Sequence, residues 1–291
     1  MSIQRYTLLS LLLSTLLCGI KFFAYFITKS IAIYSDAMES IVNIFSALFA
    51  FFGSKIAEKP PDKEHPYGHG KAEYIVSSIE GLFILFAAVS ILYQAIEKIL
   101  NQKALENATE GLILITVSAV ANLSLAYFLY KKAKSLNSSL IFSHATHIFT
   151  DVLTTVGTMI AIILIDKFRL LFLDPIIGIV IGINVVYLGY KITKTSLSSL
   201  LDRQIEREKR EKIEELIENV LTQKKLDHSD NFSYCIKRTR RAGRKGFIEL
   251  YINVPSYLSV KDAHALCDEI EKEIKTIFPE IEVIIHVEPS P

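Results

Sequence analysis

Six long apolar segments follow one another through the first two thirds of the chain, and no other feature limits the fold as strongly. A run of roughly 20 apolar residues is long enough to cross the hydrocarbon core of a bilayer as a helix. Within lipid, a helix also satisfies all of its own backbone polar groups. We therefore predict an all-α membrane bundle of six spans, near residues 6–28, 31–53, 73–100, 110–131, 138–165 and 170–196.

The composition narrows the class further. Hydrophobic residues make up 51% of the 291 residues, more than a soluble domain of this size needs. The net charge of +1 offers no basic face, so we expect no nucleic-acid partner. Cys18, Cys235 and Cys267 are far apart and form no CxxC pair, which implies neither a disulfide framework nor a thiolate zinc site. We expect a lipid-embedded protein without a prosthetic group.

The charges of the loops predict the orientation in the bilayer. Basic residues are abundant on one side, at Lys55, Lys59, Lys63, Lys71, Lys131, Lys132, Lys134, Lys191, Lys194 and Arg203. The loops on the other side hold only Lys29, Lys103, Lys167 and Arg169. Cytoplasmic loops carry the excess of Lys and Arg. We therefore expect both termini in the cytoplasm, and the cell membrane as the location.

The last part of the chain is rich in charged residues, and apolar and polar residues alternate there. We therefore assign residues 1–203 to the membrane domain and 204–291 to a cytoplasmic domain. Its apolar spacing predicts, in order, a helix over 213–221, strands at 232–239 and 246–254, a helix from a Ser259 cap through Phe278, and a strand around 283–287. This order predicts a ferredoxin-like α+β domain, αββαβ, with its helices on one face of the sheet.

Polar side chains recur at a fixed spacing in the second and fifth predicted spans. Glu39 and Asn43 are four residues apart, as are His147 and Asp151. This spacing puts each pair on one helix face, one turn apart. A charge inside a span costs at least ~2.5–3.5 kcal/mol and is usually functional. Two facing pairs would supply two carboxylates, an imidazole and an amide oxygen, a four-ligand set for a divalent cation.

Neighbouring polar residues are expected to support that site. Asp36 precedes Glu39 by less than one turn and is expected to orient the ligands without binding the metal itself. His144 lies three residues before His147 and could line the same cavity. Lys21, in the first span, has no partner that the sequence identifies. The alternative interpretation is hydrogen bonding between helices, or a proton relay, without metal.

The loop after the second span carries a further motif. Residues 60–73 are Pro-Pro-Asp-Lys-Glu-His-Pro-Tyr-Gly-His-Gly-Lys-Ala-Glu, which includes Asp62, His65 and His69. This loop closely resembles the signature loop of the cation diffusion facilitators. The resemblance extends along the whole chain, through the six spans, the paired ligands in spans two and five, and the αββαβ tail. A structural turn is the alternative, because proline and glycine are turn formers.

The resemblance implies a transport site for a divalent metal at Glu39, Asn43, His147 and Asp151, and a loop metal site at Asp62, His65 and His69. Members of the family usually hold two acids, or a histidine and an acid, in the second span. Asn43 therefore removes one formal charge. An amide oxygen favours harder ions such as manganese or iron, whereas His147 keeps zinc plausible. Zinc, iron, manganese and cobalt all stay open.

The resemblance also implies a regulatory metal cluster in the tail, formed by Cys235, Tyr251, His264, His286 and Glu288. Period-2 geometry places His286 and Glu288 on one strand face, and His264 of the adjoining helix could join them. Tyr251 stands where a histidine is common, and Cys235 replaces another. The alternative is a solvated strand face that binds one weak ion or none.

Lys71 and Asp202 resemble the family's charge interlock, which holds two protomers together at the membrane surface, and the resemblance thus implies a homodimer. The alternative is two ordinary interfacial charges, each reaching water.

Together these features favour export of divalent cations from the cytoplasm by alternating access. Exchange for protons is implied by the resemblance and by His147, since ligands must lose protons to bind metal. An intramembrane metalloenzyme is disfavoured, because the sequence has no H-E-x-x-H pattern. The other alternative is a metal sensor that signals through its tail without transport.

Overall fold

A computed structural model describes residues 3–101, 105–136, 139–170, 172–228 and 232–290. Its first six helices are α1 (Ile3–Thr28), α2 (Ile31–Ala57), α3 (Ala72–Asn101), α4 (Ala108–Leu136), α5 (Ser139–Phe168) and α6 (Leu173–Leu200). In the described part of the chain, these six are long and apolar enough to cross a membrane. The six predicted spans are therefore confirmed, with ends that differ by a few residues.

The described residues form two compact units. The first comprises Met1–Phe49 and Ile79–Thr193, and the second comprises Ala50–Ser78 and Lys194–Pro291. The second unit thus contains the loop after α2 together with the tail, which a division of the sequence at residue 203 does not anticipate.

Small and branched apolar residues hold the helices of the first unit together. Ala24 of α1, Ile33 of α2, Ile115 of α4 and Ile162 of α5 form one buried cluster. Association of helices in lipid depends on such close packing, because lipid tails are as apolar as the side chains. The bundle therefore brings α1, α2 and α5, which carry the polar residues of interest, into contact around a common core.

Asp174, at the start of α6, joins three helices through one buried carboxylate. Its Oδ1 accepts a hydrogen bond from Ser30 Oγ at 2.6 Å, and its Oδ2 accepts from the backbone N–H of Ile31 at 2.7 Å. Lys98 Nζ of α3 lies 2.8 Å from the same Oδ2. The first N–H groups of a helix lack partners within the helix and favour a negative charge. Asp174 therefore caps α2 from another helix, a role that the sequence did not indicate.

The tail has the predicted αββαβ order. It consists of α7 (Arg207–His228), β1 (Ser233–Ala242), β2 (Lys245–Val254), α8 (Val260–Ile277) and β3 (Ile281–Pro289). The strand order is β1-β2-β3, with β1 and β2 antiparallel and β2 and β3 parallel. The predicted capping box is also present, since Ser259 Oγ accepts from the backbone N–H of Asp262 at 3.2 Å.

The core of the tail lies between the sheet and its two helices. Ile213 and Ile217 of α7 and Ile270 of α8 pack with Leu250 and Ile252 of β2, and all five are at most 1% exposed. Alternate strand residues face the other side of the sheet, where no helix of the described tail covers them. The sheet therefore has one apolar, covered face and one polar, open face.

The loop after α2 packs on the hairpin between β1 and β2. The Arg240 guanidinium lies 4.5 Å from the ring centre of Tyr67, whose ring also meets Phe247 edge-on at 5.5 Å. Gly70 and Gly243 touch through their backbones, and a Cβ on either would collide with the other segment. Gly243 also has a φ of +63°, a conformation that glycine adopts without strain.

The buried Lys98–Asp174 pair gives a test of stability. Lys98→Met should lower the free energy of unfolding by about 3–5 kcal/mol, because it leaves a buried carboxylate without its cation. Lys167→Met, which changes an exposed lysine near the end of α5, is the matched control. Reversible unfolding in detergent measures both variants. Equal stability of the two would show that the pair contributes nothing.

Candidate metal centres

Asp151 is the point at which the polar side chains of α2 and α5 meet. The Asn43 amide nitrogen donates to both carboxylate oxygens of Asp151, at 3.3 Å each. His147 Nε2, one turn back on α5, lies 3.9 Å from Asp151 Oδ2. Glu39 interacts electrostatically with Asp151 and is within hydrogen-bonding reach of Thr154. The two pairs with i, i+4 spacing therefore face each other, one on each helix.

The side chains of these two pairs are partly accessible at the surface of the first unit. The side chain of His147 is 53% exposed and that of Asp151 is 20% exposed. Glu39 is exposed and Asn43 is half-buried. The side chain of His144, which was expected to line the same cavity, lies outside the described residues.

A second polar cluster, not found by sequence reasoning, lies next to this group. Lys21 Nζ of α1 is 2.9 Å from Asp36 Oδ1, 3.0 Å from Ser40 Oγ and 3.3 Å from Thr155 Oγ1. Lys21 is 1% exposed and Asp36 4% exposed. Lys21 thus has a partner after all. The charge of Lys21 inside a span was the only feature of the sequence that pointed to one.

The loop residues Asp62, His65 and His69 come together on the second unit. Asp62 Oδ1 accepts from the backbone N–H of His65 at 2.7 Å and lies 3.2 Å from His65 Nδ1. His69 Nε2 lies 3.4 Å from Asp62 Oδ2. The hydrogen bond from the backbone N–H of His65 is the main reason that the pKa of Asp62 lies below its ordinary value. The imidazoles of His65 and His69 lower this pKa further. Asp62 is therefore ionised over a wide range of pH.

The donor atoms of this loop fit a metal ion. One donor atom from each of the three residues lies within 4.8 Å of the other two. Among residues 3–101, 105–136, 139–170, 172–228 and 232–290, no other trio of His, Cys, Asp or Glu meets that distance. His69 Nδ1 is buried without a hydrogen-bond partner in the described residues. Two imidazoles and a carboxylate form a ligand set typical of zinc and related divalent ions.

Lys71 and Asp202, the residues of the expected charge interlock, are in contact within one chain. Lys71 Nζ lies 2.9 Å from Asp202 Oδ1, and Arg240 approaches the same oxygen at 3.5 Å. The hydrogen bond from Lys71 is the main reason that the pKa of Asp202 lies below its ordinary value. Both side chains are more than a third exposed, so the pair contributes little to stability.

On the open face of the tail sheet, three residues of the expected cluster share one row across the strands. Cys235 pairs with Tyr251, and Tyr251 pairs with His286. The rings of Tyr251 and His286 lie 4.9 Å apart between centres. His286 Nε2 is 3.5 Å from Glu288 Oε1, and both side chains are at least half exposed.

His264, the remaining residue of the expected cluster, lies apart from this row within one chain. His264 lies on α8 beside Asp268, at 3.7 Å, and faces a groove that Val283, Ile285 and Val287 also line. These three valine and isoleucine side chains project from the covered face of β3. Because successive strand residues alternate between faces, His286 and Glu288 must project to the other face of the same strand.

The chain matches known families and known transporters over nearly its whole length. Residues 7–201 match the family model of the cation efflux transmembrane domain, and residues 205–290 match that of the cation efflux protein cytoplasmic domain. The chain is 35% identical over 287 residues to the uncharacterized transporter sll1263 of Synechocystis sp., with 98% of this chain and 90% of that protein covered.

Two further relatives carry more specific names. The cation-efflux pump FieF of Shewanella oneidensis is 26% identical, with 94% of this chain and 89% of that protein covered. The metal-bound C-terminal domain of the CzcD transporter from Thermotoga maritima is 37% identical, with 29% of this chain and 94% of that chain covered and a TM-score of 0.24. The family models and the pumps describe transport and not an enzymatic reaction. This chain therefore belongs to the cation diffusion facilitator family of metal cation efflux transporters.

Proposed function

We propose that this transporter exports a divalent metal cation from the cytoplasm in exchange for protons, by alternating access at Glu39, Asn43, His147 and Asp151. The observation that carries this proposal is the contact between Asn43 of α2 and Asp151 of α5. It brings two pairs of ligand-type side chains, each on its own helix, to one point. A metal bound there contacts two helices, so movement of one helix against the other changes the coordination.

The ligand chemistry follows from the hydrogen bonds around Asp151. Asn43 donates its amide N–H groups to the Asp151 carboxylate. A cation on Asp151 repels these groups, and the amide then turns to present its carbonyl oxygen. Asn43 thereby stabilises the carboxylate in one state and binds the metal in the other. Amide nitrogen and oxygen exchange positions by a simple rotation.

Exchange for protons follows from the same residues. A carboxylate or an imidazole must be deprotonated to bind metal, so metal binding releases protons. His147 lies within 4 Å of Asp151, and a proton shared by these two groups replaces part of the charge of the departed ion. Proton binding on the far side of the membrane therefore favours release of the metal there.

The cellular arrangement is part of the same proposal. The excess of Lys and Arg in alternate loops favours cytoplasmic termini in the cell membrane. The resemblance of Lys71 and Asp202 to the charge interlock, and the presence of the cation efflux cytoplasmic domain, support a homodimer.

In the tail, the candidate regulatory site is the row of Cys235, Tyr251 and His286 together with Glu288. His264 could join this site only from another chain.

The first test is metal uptake into sealed vesicles. In proteoliposomes with an opposed proton gradient, the protein should take up Zn²⁺, and Asp151→Ala should abolish uptake because it removes the carboxylate shared by both pairs. Asp166→Ala, which changes an exposed acid farther along α5, is the matched control and should transport normally. Undiminished uptake by Asp151→Ala would refute this site.

The second test concerns the choice of metal. Asn43→Asp restores a second acid in α2 and should change the ranking of manganese, iron, cobalt and zinc, because a carboxylate adds a formal charge that an amide lacks. A panel of the four metals in the same vesicles measures the ranking. An unchanged ranking would exclude Asn43 as a determinant of selectivity.

The third test addresses the loop site, for which the convergence of donor atoms from Asp62, His65 and His69 within 4.8 Å is the main support. In an Asp151→Ala background, His69→Ala should remove one zinc-binding event from calorimetric titration of the full chain, whereas Lys63→Ala in the same loop should not. Binding should weaken as the solution is acidified from neutral pH, because imidazole must be neutral to bind metal.

The direction of this pH effect separates the contributions of the loop residues. Asp62 keeps its charge during mild acidification, because its pKa lies below the ordinary value. The loss therefore comes from the histidines. If His69→Ala binds as many zinc ions as its parent, the loop is a structural turn.

A further inference from the structure

The cluster of Lys21, Asp36, Ser40 and Thr155 lies beside the transport residues and has no part in the proposal above. The cluster contains residues of three helices. These are Lys21 of α1, Asp36 and Ser40 of α2, and Thr155 of α5. Thr155 Oγ1 also lies 3.0 Å from Asp36 Oδ1 and 2.9 Å from the backbone oxygen of Asp151. One buried ammonium thus joins the two helices that carry the transport ligands.

The position of this cluster along the helices is defined by the sequence spacing. Asp36 lies three residues before Glu39 on α2, and Thr155 lies four residues after Asp151 on α5. Residues three or four apart share one helix face. The cluster therefore lies about one turn from the transport residues along both helices, toward the start of α2 and the end of α5.

Burial changes abruptly between these two layers. Lys21, Asp36 and Thr155 are between 0% and 4% exposed, whereas Glu39 is exposed and the His147 side chain is 53% exposed. The packed core next to the proposed transport residues therefore begins at the layer of Lys21. An ion that leaves toward the start of α2 has to pass this layer.

The hydrogen bonds of Asp36 are incomplete. Its Oδ1 is bound by both Lys21 and Thr155, but its Oδ2 is buried without a partner in the described residues. A buried polar atom without a partner costs free energy and calls for an explanation. A buried ion pair is often no more stabilising than well-packed apolar side chains of similar volume. The free oxygen instead leaves this carboxylate able to bind a second cation.

We propose that Lys21 and Asp36 form an ion-pair gate on the transport path, a role that rests on the proposed transport site. In the closed state, the ammonium occupies Asp36 and repels an approaching dication. A dication that reaches Asp36 Oδ2 replaces the ammonium, so the carboxylate is never left buried without a cation. Opening of the gate is thereby tied to the presence of the ion. Lys21 and Asp36 also interact electrostatically with both Glu39 and Asp151.

Passive zinc flux in proteoliposomes tests the gate. With equal pH on both sides and a zinc gradient alone, Lys21→Ala should raise the flux by about tenfold, equivalent to a loss of about 1.4 kcal/mol from the barrier. Lys21→Arg keeps a cation on Asp36 and should return the flux to the wild-type rate. The variant Lys21→Ala/Asp36→Ala avoids an unpaired buried charge, in case Lys21→Ala does not fold, and should leak as well.

The pair Lys98–Asp174 is the matched control, since it is also a buried lysine–aspartate pair of the same unit. Lys98→Ala/Asp174→Ala should lower stability without raising the passive flux. Equal leaks in both double variants, or a flux that only follows the amount of folded protein, would overturn the gate. Metal uptake by the wild type, and its loss in Asp151→Ala, test the proposed transport site independently of the gate. Failure of the gate can therefore be distinguished from failure of the proposed function.

Discussion

The cost of an unpaired charge in a bilayer is the constraint on which the membrane unit depends. Lys21 and Lys98 each meet a buried aspartate within 3 Å, and these two pairs connect α1 with α2, and α3 with α6. Without its partner, either lysine or aspartate would make insertion of its helix costly. The same requirement makes Asp151 informative. Among the described residues, its carboxylate pairs with the Asn43 amide and with His147, and with no lysine or arginine. A carboxylate so placed is available for a cation.

The two buried pairs differ in what surrounds them. Asp174 uses both of its oxygens, for the backbone of α2 and for Lys98, and so acts as a satisfied structural joint. Asp36 has one oxygen without a partner in the described residues, and it lies about one turn from the proposed transport residues. Similar chemistry therefore serves stability in one place and, in our proposal, ion passage in the other. The difference lies in hydrogen-bond satisfaction and in position relative to the ligands.

In the second unit, the candidate metal residues depend on backbone geometry more than on burial. The turn of the loop brings Asp62 and His69 to 3.4 Å, while the strand period separates His264 from His286 and Glu288. A ligand set that resemblance places in one cluster is thus divided between two faces of a three-stranded sheet. The residues that remain together, His286 and Glu288, have side chains that are at least half exposed.

The sequence by itself determined the six spans, the αββαβ tail and the i, i+4 spacing of the two polar pairs, because apolar length, strand alternation and residue spacing are local properties. The loop motif at residues 60–73 indicated the family. That the two pairs face each other was decided by the packing of α2 against α5. Only the tertiary structure decided that Lys21 meets Asp36, that Asp174 caps α2 with Lys98 beside it, and that His264 lies apart from His286. The contacts of Lys21 and Asp174 connect residues between 15 and 144 positions apart in the sequence. The position of His264 depends on which face of the sheet α8 covers. No local sequence pattern encodes such contacts. They form only when helices that are distant in sequence pack together and place oppositely charged side chains next to each other.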